Sequence, residues 1–323
     1  MRAGFPFFVV FQGGRKTWKL GSQLGVGSGC NLVKSVSDVL KTLAPDIYGK
    51  NMLTIQTWGG WGDALREISL LPAFRFPGLI GVRHLPPELA GVRVDARAPS
   101  VKSVKDLLDR CPSIQWKGVG SVSRGHKYLT RGLRVVIEPF HPGLFDPGFV
   151  WRSEDEIAID SARKQIVIQT HLEGLPAKRW AVENWRGVLS GLRSRHPGAC
   201  IHVLDPAGAA LADEGIVVQD RLTFPQAIRL VEQCSLLISV DSWSKYVAGW
   251  KNIPQLVIVP DQTSDYPQLT ASTIWRYSFR GLHKNRNLKL IGLAPENTKQ
   301  ARYTFGPMSA LRPQDVLQSL LPL

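Results

Sequence analysis

Three short stretches combine residue types and spacing that could do chemistry. In "WGGWGDALRE" (58–67), a strand-like run meets glycines at 59, 60 and 62, and then Asp63, where a helix with Leu65, Ile68 and Leu71 on its buried side begins. Such glycines let Gly60, Trp61 and Gly62 turn sharply and pass close to another group. Asp63 reads either as a helix N-cap, worth about 1 kcal/mol, or as a general base for a hydroxyl proton. In "THLEGLPAKRW" (170–180), Lys178 and Arg179 sit in the loop just before a helix. Cations there oppose the helix dipole, and a bound phosphate would offset them, with Lys as a point charge beside free N–H groups. An exposed basic pair is the alternative, as plain polar surface is for His171 in the same loop. In "ISVDSWSKYVAGW" (238–250), Asp241 ends a strand, Ser242 can cap a helix starting near Trp243, and Lys245 follows one turn on. Ligands of open α/β sheets bind outside the carboxyl ends of strands, which would aim the N–H groups of 242–245 into a crevice. A cap with core packing by Val247 and Ala248 is the plainer reading, and the two are compatible.

The elements that must position these residues alternate between short apolar strands and helical periodicities. The strand candidates are 52–58, 134–140, 164–170, 200–204, 235–240 and 255–259. Near-continuous apolar strands separated by helices are what a parallel sheet covered on both faces requires. Thr223 and Gln226 form a capping-box pattern ahead of a helix carrying Ala227, Ile228, Val231 and Cys234 on one face. Upstream, Ala181, Trp185, Val188, Leu189 and Leu192 make a second stripe. Residues 161–260 therefore read as βαβαβ. The Pro- and Gly-broken run 71–130 does not order itself, 260–310 reads as loop-rich, and 312–321 as a terminal helix. Residues 140–160 suit an interdomain connection, with Glu154, Asp155 and Glu156 read as solvated linker. Two domains follow, 1–160 and 161–323.

A length of 323 residues fits two domains of ordinary size. The net charge of +14 and pI near 9.9 favour anionic partners: nucleic acid, anionic glycolipid or phosphate-bearing substrates. Cys30, Cys111, Cys200 and Cys234 lack C-x-x-C spacing, which argues against a zinc ribbon or a disulfide scaffold. "FPFFVVF" (5–11) reads as a strand without a cleavage site, and no apolar run spans a bilayer. A cytoplasmic location is expected, in a bacterium or for a viral protein in a bacterial host, with peripheral membrane contact left open. There is no G-x-x-x-x-G-K-[ST], no metal-ligand spacing and no G-x-S-x-G; "GVGSGC" (25–30) follows no convincing strand.

With these places marked, the chain resembles the ADP-heptose:lipopolysaccharide heptosyltransferase family of GT-B glycosyltransferases. "QIVIQTHLEGLPAKRWAVENWRGVLSGL" is similar to the family's strand, phosphate loop, K-R-W and helix. "RLTFPQAIRLVEQCSLLISVDSWSKYVAGWKNIPQLVIV" is similar to its helix, D-S loop and following strand, and "GDALREISLLPAF" to its Gly-Asp turn. The family's D-S-G-x-M-H-L-A differs here at Trp243, Lys245 and Tyr246, an aromatic and a cation that reshape the donor pocket.

The resemblance implies an α/β, GT-B protein with two Rossmann-like domains facing across a cleft and an inverting, metal-independent transfer. Asp63 and Lys178 map to the catalytic base and to the lysine that neutralises the leaving diphosphate. Asp241 and Ser242 map to the loop that meets the diphosphate; read from their own places in the chain, His171, Lys178, Arg179, Trp243 and Lys245 join them as donor-binding candidates, and Gly60, Trp61 and Gly62 form an acceptor-side loop. The implied partners are a nucleotide sugar and an anionic acceptor, a lipopolysaccharide or surface glycan, with no metal or resident cofactor. A transferase acting on hydroxymethylated bases of viral DNA is the alternative within the class. A non-catalytic GT-B binding protein is the alternative outside it.

Overall fold

The computed structural model describes residues 52–58, 60–69, 79–85, 101–112, 114–119, 144, 146–170, 180–204, 208–213, 215–259, 287–291, 293–297, 302–305 and 311–320. The expected strand at 134–140, the loop residues His171, Lys178 and Arg179, and the side chain of Asp63 lie outside them. The chain divides into two compact units, 1–93 with 98–150, and 94–97 with 151–323.

In the first unit, β1 (Met52–Trp58), β2 (Leu79–Leu85) and β3 (Ile114–Val119) form a parallel sheet in that order. Met52 pairs with Leu79 and Ile80 with Ile114. The crossovers carry α1 (Trp61–Ile68) and α2 (Val101–Leu108). Ala64, Leu65 and Ile68 on α1, and Val104, Leu107 and Leu108 on α2, are fully buried at the three- and four-residue spacing that packs a helix on a sheet. The broken run 71–130 thus contains β2, α2 and β3. After α2, the Cys111 thiol donates to the Pro147 carbonyl (3.0 Å) and the Val150 N–H to the Arg110 carbonyl (2.7 Å).

The second unit is a six-stranded parallel sheet. Its strands are β4 (Gln165–Gln169), β5 (Cys200–Val203), β6 (Ile216–Val218), β7 (Leu236–Val240), β8 (Gln255–Ile258) and β9 (Leu288–Ile291). The order β6-β5-β4-β7-β8-β9 is the doubly wound Rossmann order, reversing direction between β4 and β7. Helices α3 (Val182–Arg195), α4 (Phe224–Glu232) and α5 (Ser244–Trp250) lie between strands. A hairpin of β10 (Leu293–Asn297) and β11 (Arg302–Phe305) precedes α6 (Pro313–Gln318). The segment 260–310 therefore holds three strands instead of loop alone.

Trp185, Val188, Leu189 and Leu192 of α3 join Ile166, Ile168, Ile201, Val203, Ile238 and Ile258 in one core, each such side chain contributing roughly 1.5–3 kcal/mol. Ala181, expected on that stripe, is exposed: it is the N-cap, outside the first helical turn. Val316 and Leu317 of α6 complete the core. They come close because α3 has glycine at 187 and 191. A Cβ on Gly187 would stand 2.7 Å from Pro313 Cγ, and one on Gly191 would overlap Leu317 Cδ1.

Thr223 Oγ1 accepts from the Gln226 N–H (3.4 Å) and Gln226 Oε1 from the Thr223 N–H (2.9 Å), the expected capping box of α4. Helix α5 ends in a Schellman arrangement. Asn252 takes the left-handed conformation (φ 55°), its N–H donates to Gly249 O (3.1 Å), and the Ile253 N–H donates to Ala248 O (2.8 Å).

The acidic run after the unit boundary is not wholly solvated. Asp155 is 1% exposed because its carboxylate caps the short turn Ser153–Asp155, accepting the Arg152 N–H (2.9 Å). The segment is tied to α4, where Gln226 Nε2 donates to Glu154 O (2.9 Å) and Arg229 stands 3.5 Å from Glu156. Glu232, its side chain 3% exposed, accepts from the Trp151 and Trp250 indoles at 2.8 and 3.4 Å.

Candidate functional site

In each unit the candidate residues follow the carboxyl end of a strand. In the first, β1 ends at Trp58, Gly60 accepts the Ala64 N–H (3.0 Å), and α1 opens at Trp61. Asp63 is therefore the third residue of the helix, inside its first turn, and the N-cap expectation is corrected. A carboxylate at that position is still favoured by the helix dipole. Gly60, Trp61 and Gly62 are each partly accessible, and a Cβ on Gly60 would meet no atom within 4 Å.

In the second unit the sheet reverses between β4 and β7, and Gln169 pairs in register with Ser239. The ends of these two strands stand side by side at the switch point, where open α/β sheets hold ligands. Beyond β4 come His171, Lys178 and Arg179, which lie outside the described residues. Beyond β7 come Asp241, Ser242, Trp243, Ser244 and Lys245, which the fold gathers into one turn.

Ser242 does not cap α5. The helix begins at Ser244, and Trp243 holds the cap position with helical dihedrals (φ −63°, ψ −34°) and no side-chain cap. What organises the turn is Lys245. It is 3% exposed, donates to Asp241 Oδ1 at 2.6 Å and to the Ser242 carbonyl at 3.2 Å, and lies 4.1 Å from the Tyr246 ring centroid. Burial works to lower the Lys245 pKa, but Asp241 and Tyr246 outweigh it and hold it above the ordinary lysine value. Lys245 thus carries its charge in a buried ion pair with Asp241, which is 4% exposed. Trp243 is partly accessible, braced edge-on against Phe224 at 4.9 Å between ring centroids.

Of the polar residues that line these strand ends, sequence reasoning singled out Ser242 and missed Gln169, Ser239 and Ser244. Gln169 Oε1 and the hydroxyls of Ser239, Ser242 and Ser244 are buried without a hydrogen-bond partner. Buried polar groups are ordinarily satisfied, so their concentration at the switch point marks a place suited to a polar ligand. The signal was present as the polar residue at or next to the carboxyl end of each strand, Gln169 in "QIVIQ" and Ser239 in "LLISV". Entering α3, Trp180 and Trp185 pack edge-on at 5.1 Å with both indole nitrogens buried and unpartnered. Among the described residues, no group of three or more His, Cys, Asp and Glu could hold a metal ion, and no helix is long and apolar enough to cross a membrane.

The α/β fold of the described residues, with its Rossmann-ordered parallel sheet, is the GT-B fold. In that fold the chain is similar to solved heptosyltransferase structures. The Escherichia coli ADP-heptose lipopolysaccharide heptosyltransferase II superposes with a TM-score of 0.52 at 15% identity, covering 84% of this chain and 97% of that one. A glycosyl transferase family 9 protein from Veillonella parvula gives 0.49 at 12% identity, covering 83% and 96%. The E. coli heptosyltransferase WaaC with ADP gives 0.47 at 12%, covering 83% and 98%. No protein-family model matches the chain, and no curated protein matches it in sequence.

Proposed function

We propose that the protein is an inverting, metal-independent glycosyltransferase that moves a sugar from a nucleoside-diphosphate donor to a hydroxyl of an anionic glycan of the lipopolysaccharide or surface type. The observation that carries this reading is the switch point of the second unit's sheet, where the ends of β4 and β7 present buried, unpartnered polar atoms. Glycosyl transfer is supported by the fold shared with heptosyltransferase II, and an anionic acceptor by the net charge of +14.

In this reading the acceptor oxygen attacks the anomeric carbon as the bond from that carbon to the diphosphate oxygen breaks. Asp63 takes the acceptor's proton, and the leaving diphosphate keeps the electron pair. Lys178, with Arg179 and His171 in the same loop, meets the developing charge from the β4 side; Ser242 and its neighbours meet it from the β7 side. Gly60, Trp61 and Gly62 border the acceptor. The free thiols at Cys111, Cys200 and Cys234 fit a reducing, cytoplasmic location, and the basic surface fits peripheral contact with an anionic membrane.

A panel of nucleotide sugars incubated with the protein and acceptor glycans, scored by mass spectrometry for released nucleoside diphosphate and glycosylated product, tests the reading. Wild type should turn over one donor, and Asp63→Asn and Lys178→Ala should each lower turnover by at least roughly tenfold. Unchanged rates in both variants would remove the assignment.

A further inference from the structure

The buried pair at the end of β7 is unexpected if stability alone is considered. Two charges taken out of water are costly, and an apolar pair of similar shape is commonly as stable or more so. Here both partners are nearly inaccessible, Asp241 at 4% and Lys245 at 3%. The lysine also holds the Ser242 carbonyl at 3.2 Å. In a trans peptide the C=O and the following N–H point in opposite directions, so drawing the Ser242 carbonyl toward Lys245 turns the Trp243 N–H away from it.

An unneutralised carboxylate at this strand end would repel an anionic ligand through a medium of low effective dielectric, where charge interactions are strong. The ligand-facing reading itself does not come from the pair. It comes from the unpartnered Gln169, Ser239, Ser242 and Ser244 atoms at the same strand ends.

Resting on the donor-site reading above, we propose that Lys245 is a positioning residue of that site. By neutralising Asp241 and holding the Ser242 carbonyl inward, it makes the end of β7 able to accept a nucleoside diphosphate. Lys245 then governs donor affinity without touching the reacting atoms.

The pair makes a prediction that a purely structural role would not: removing the second charge should recover binding that removal of the first weakens. Binding of ADP, GDP, CDP, UDP and inorganic pyrophosphate is measured by calorimetry at pH 8, with thermal melting in parallel. Both Lys245→Met and Asp241→Asn should lower the melting temperature. Lys245→Met removes the ammonium that neutralises Asp241 and should weaken the tightest-binding diphosphate by roughly tenfold or more. The double variant Lys245→Met/Asp241→Asn, which removes both charges, should bind that diphosphate more tightly than Lys245→Met alone. In turnover, Lys245→Met should raise the donor KM by a larger factor than it lowers kcat.

If Lys245→Met proves too unstable to titrate, Lys245→Gln, which keeps a donor for the Ser242 carbonyl, carries the same prediction. Equal or greater weakening in Lys245→Met/Asp241→Asn than in Lys245→Met would overturn the proposal, as would unchanged binding in Lys245→Met. Failure of wild type to bind any of the five probes would instead overturn the donor-site reading on which the proposal stands.

Discussion

Glu232 offers the sharpest test of how the second unit holds its parts together. Its buried carboxylate accepts the Trp151 indole at 2.8 Å and the Trp250 indole at 3.4 Å. Arg229 and Lys251 stand at 3.7 and 3.6 Å. One side chain thus joins the chain entering the unit, α4 and the end of α5. In Glu232→Leu the shorter indole bond, to a charged acceptor, is worth about 1.5–3 kcal/mol, and the longer one falls below that range. The two ion pairs, 26% and 35% exposed on their cationic sides, are screened and add about 0.2–1 kcal/mol each. The expected loss is about 3–5 kcal/mol. Glu232→Gln keeps one acceptor and should lose about 1–2 kcal/mol. Urea unfolding followed by tryptophan fluorescence measures this as a shift of midpoint at constant slope. Hydrogen exchange should locate the first opening at 151–156. A Glu232→Leu loss below about 0.5 kcal/mol, the range of ordinary surface substitutions, would refute the reasoning.

Gly191→Leu should expel α6 from α3, because the new side chain takes the volume of Leu317. Loss of the Val316 and Leu317 contacts should cost about 2–5 kcal/mol, read by urea unfolding, with Leu317→Ala giving a smaller loss within the same range. His202 is buried, with Nε2 2.8 Å from Gln165 Oε1 and Nδ1 accepting from Gln219 at 3.1 Å. Burial lowers its pKa below the ordinary 6.5, so the unfolded chain binds the proton first. Its contribution to stability is complete above pH 6.5 and is lost as the pH falls toward the folded-state value. Urea midpoints taken from pH 7.5 downward should fall less steeply for His202→Gln than for wild type.

The central strands of the second unit were legible because their continuous apolar runs of three or four residues, bounded by helical periodicities, leave few other structures open to them. Helix α4 was legible for a different reason, since Thr223 and Gln226 mark its start chemically. What stayed hidden was short or mixed: β6 has three residues and β10 carries Pro295 and Glu296, so neither shows a periodicity. In the candidate site, Asp241, Ser242 and Lys245 could be chosen from their place after an apolar run. Their relation to one another could not. Spacing alone showed that Asp241 and Lys245 were one turn apart, but not that the pair is buried or that it replaces a Ser242 cap. Ser239 and Gln169 escaped notice because their significance depends on the pairing of β4 with β7, which brings together residues 70 positions apart.

The packing of α6 on α3 also has a consequence for the order in which the chain can fold during synthesis. The second unit's core takes residues from Ile166 through to Leu317, so its largest apolar surface lacks a wall until residue 317 has left the ribosome. The first unit, whose described strands and helices lie between 52 and 119, can form while that surface is still being made. For the interval between, the face of α3 around Gly187 and Gly191 is an open apolar groove beside the Rossmann sheet, and the later-made α6 is what closes it.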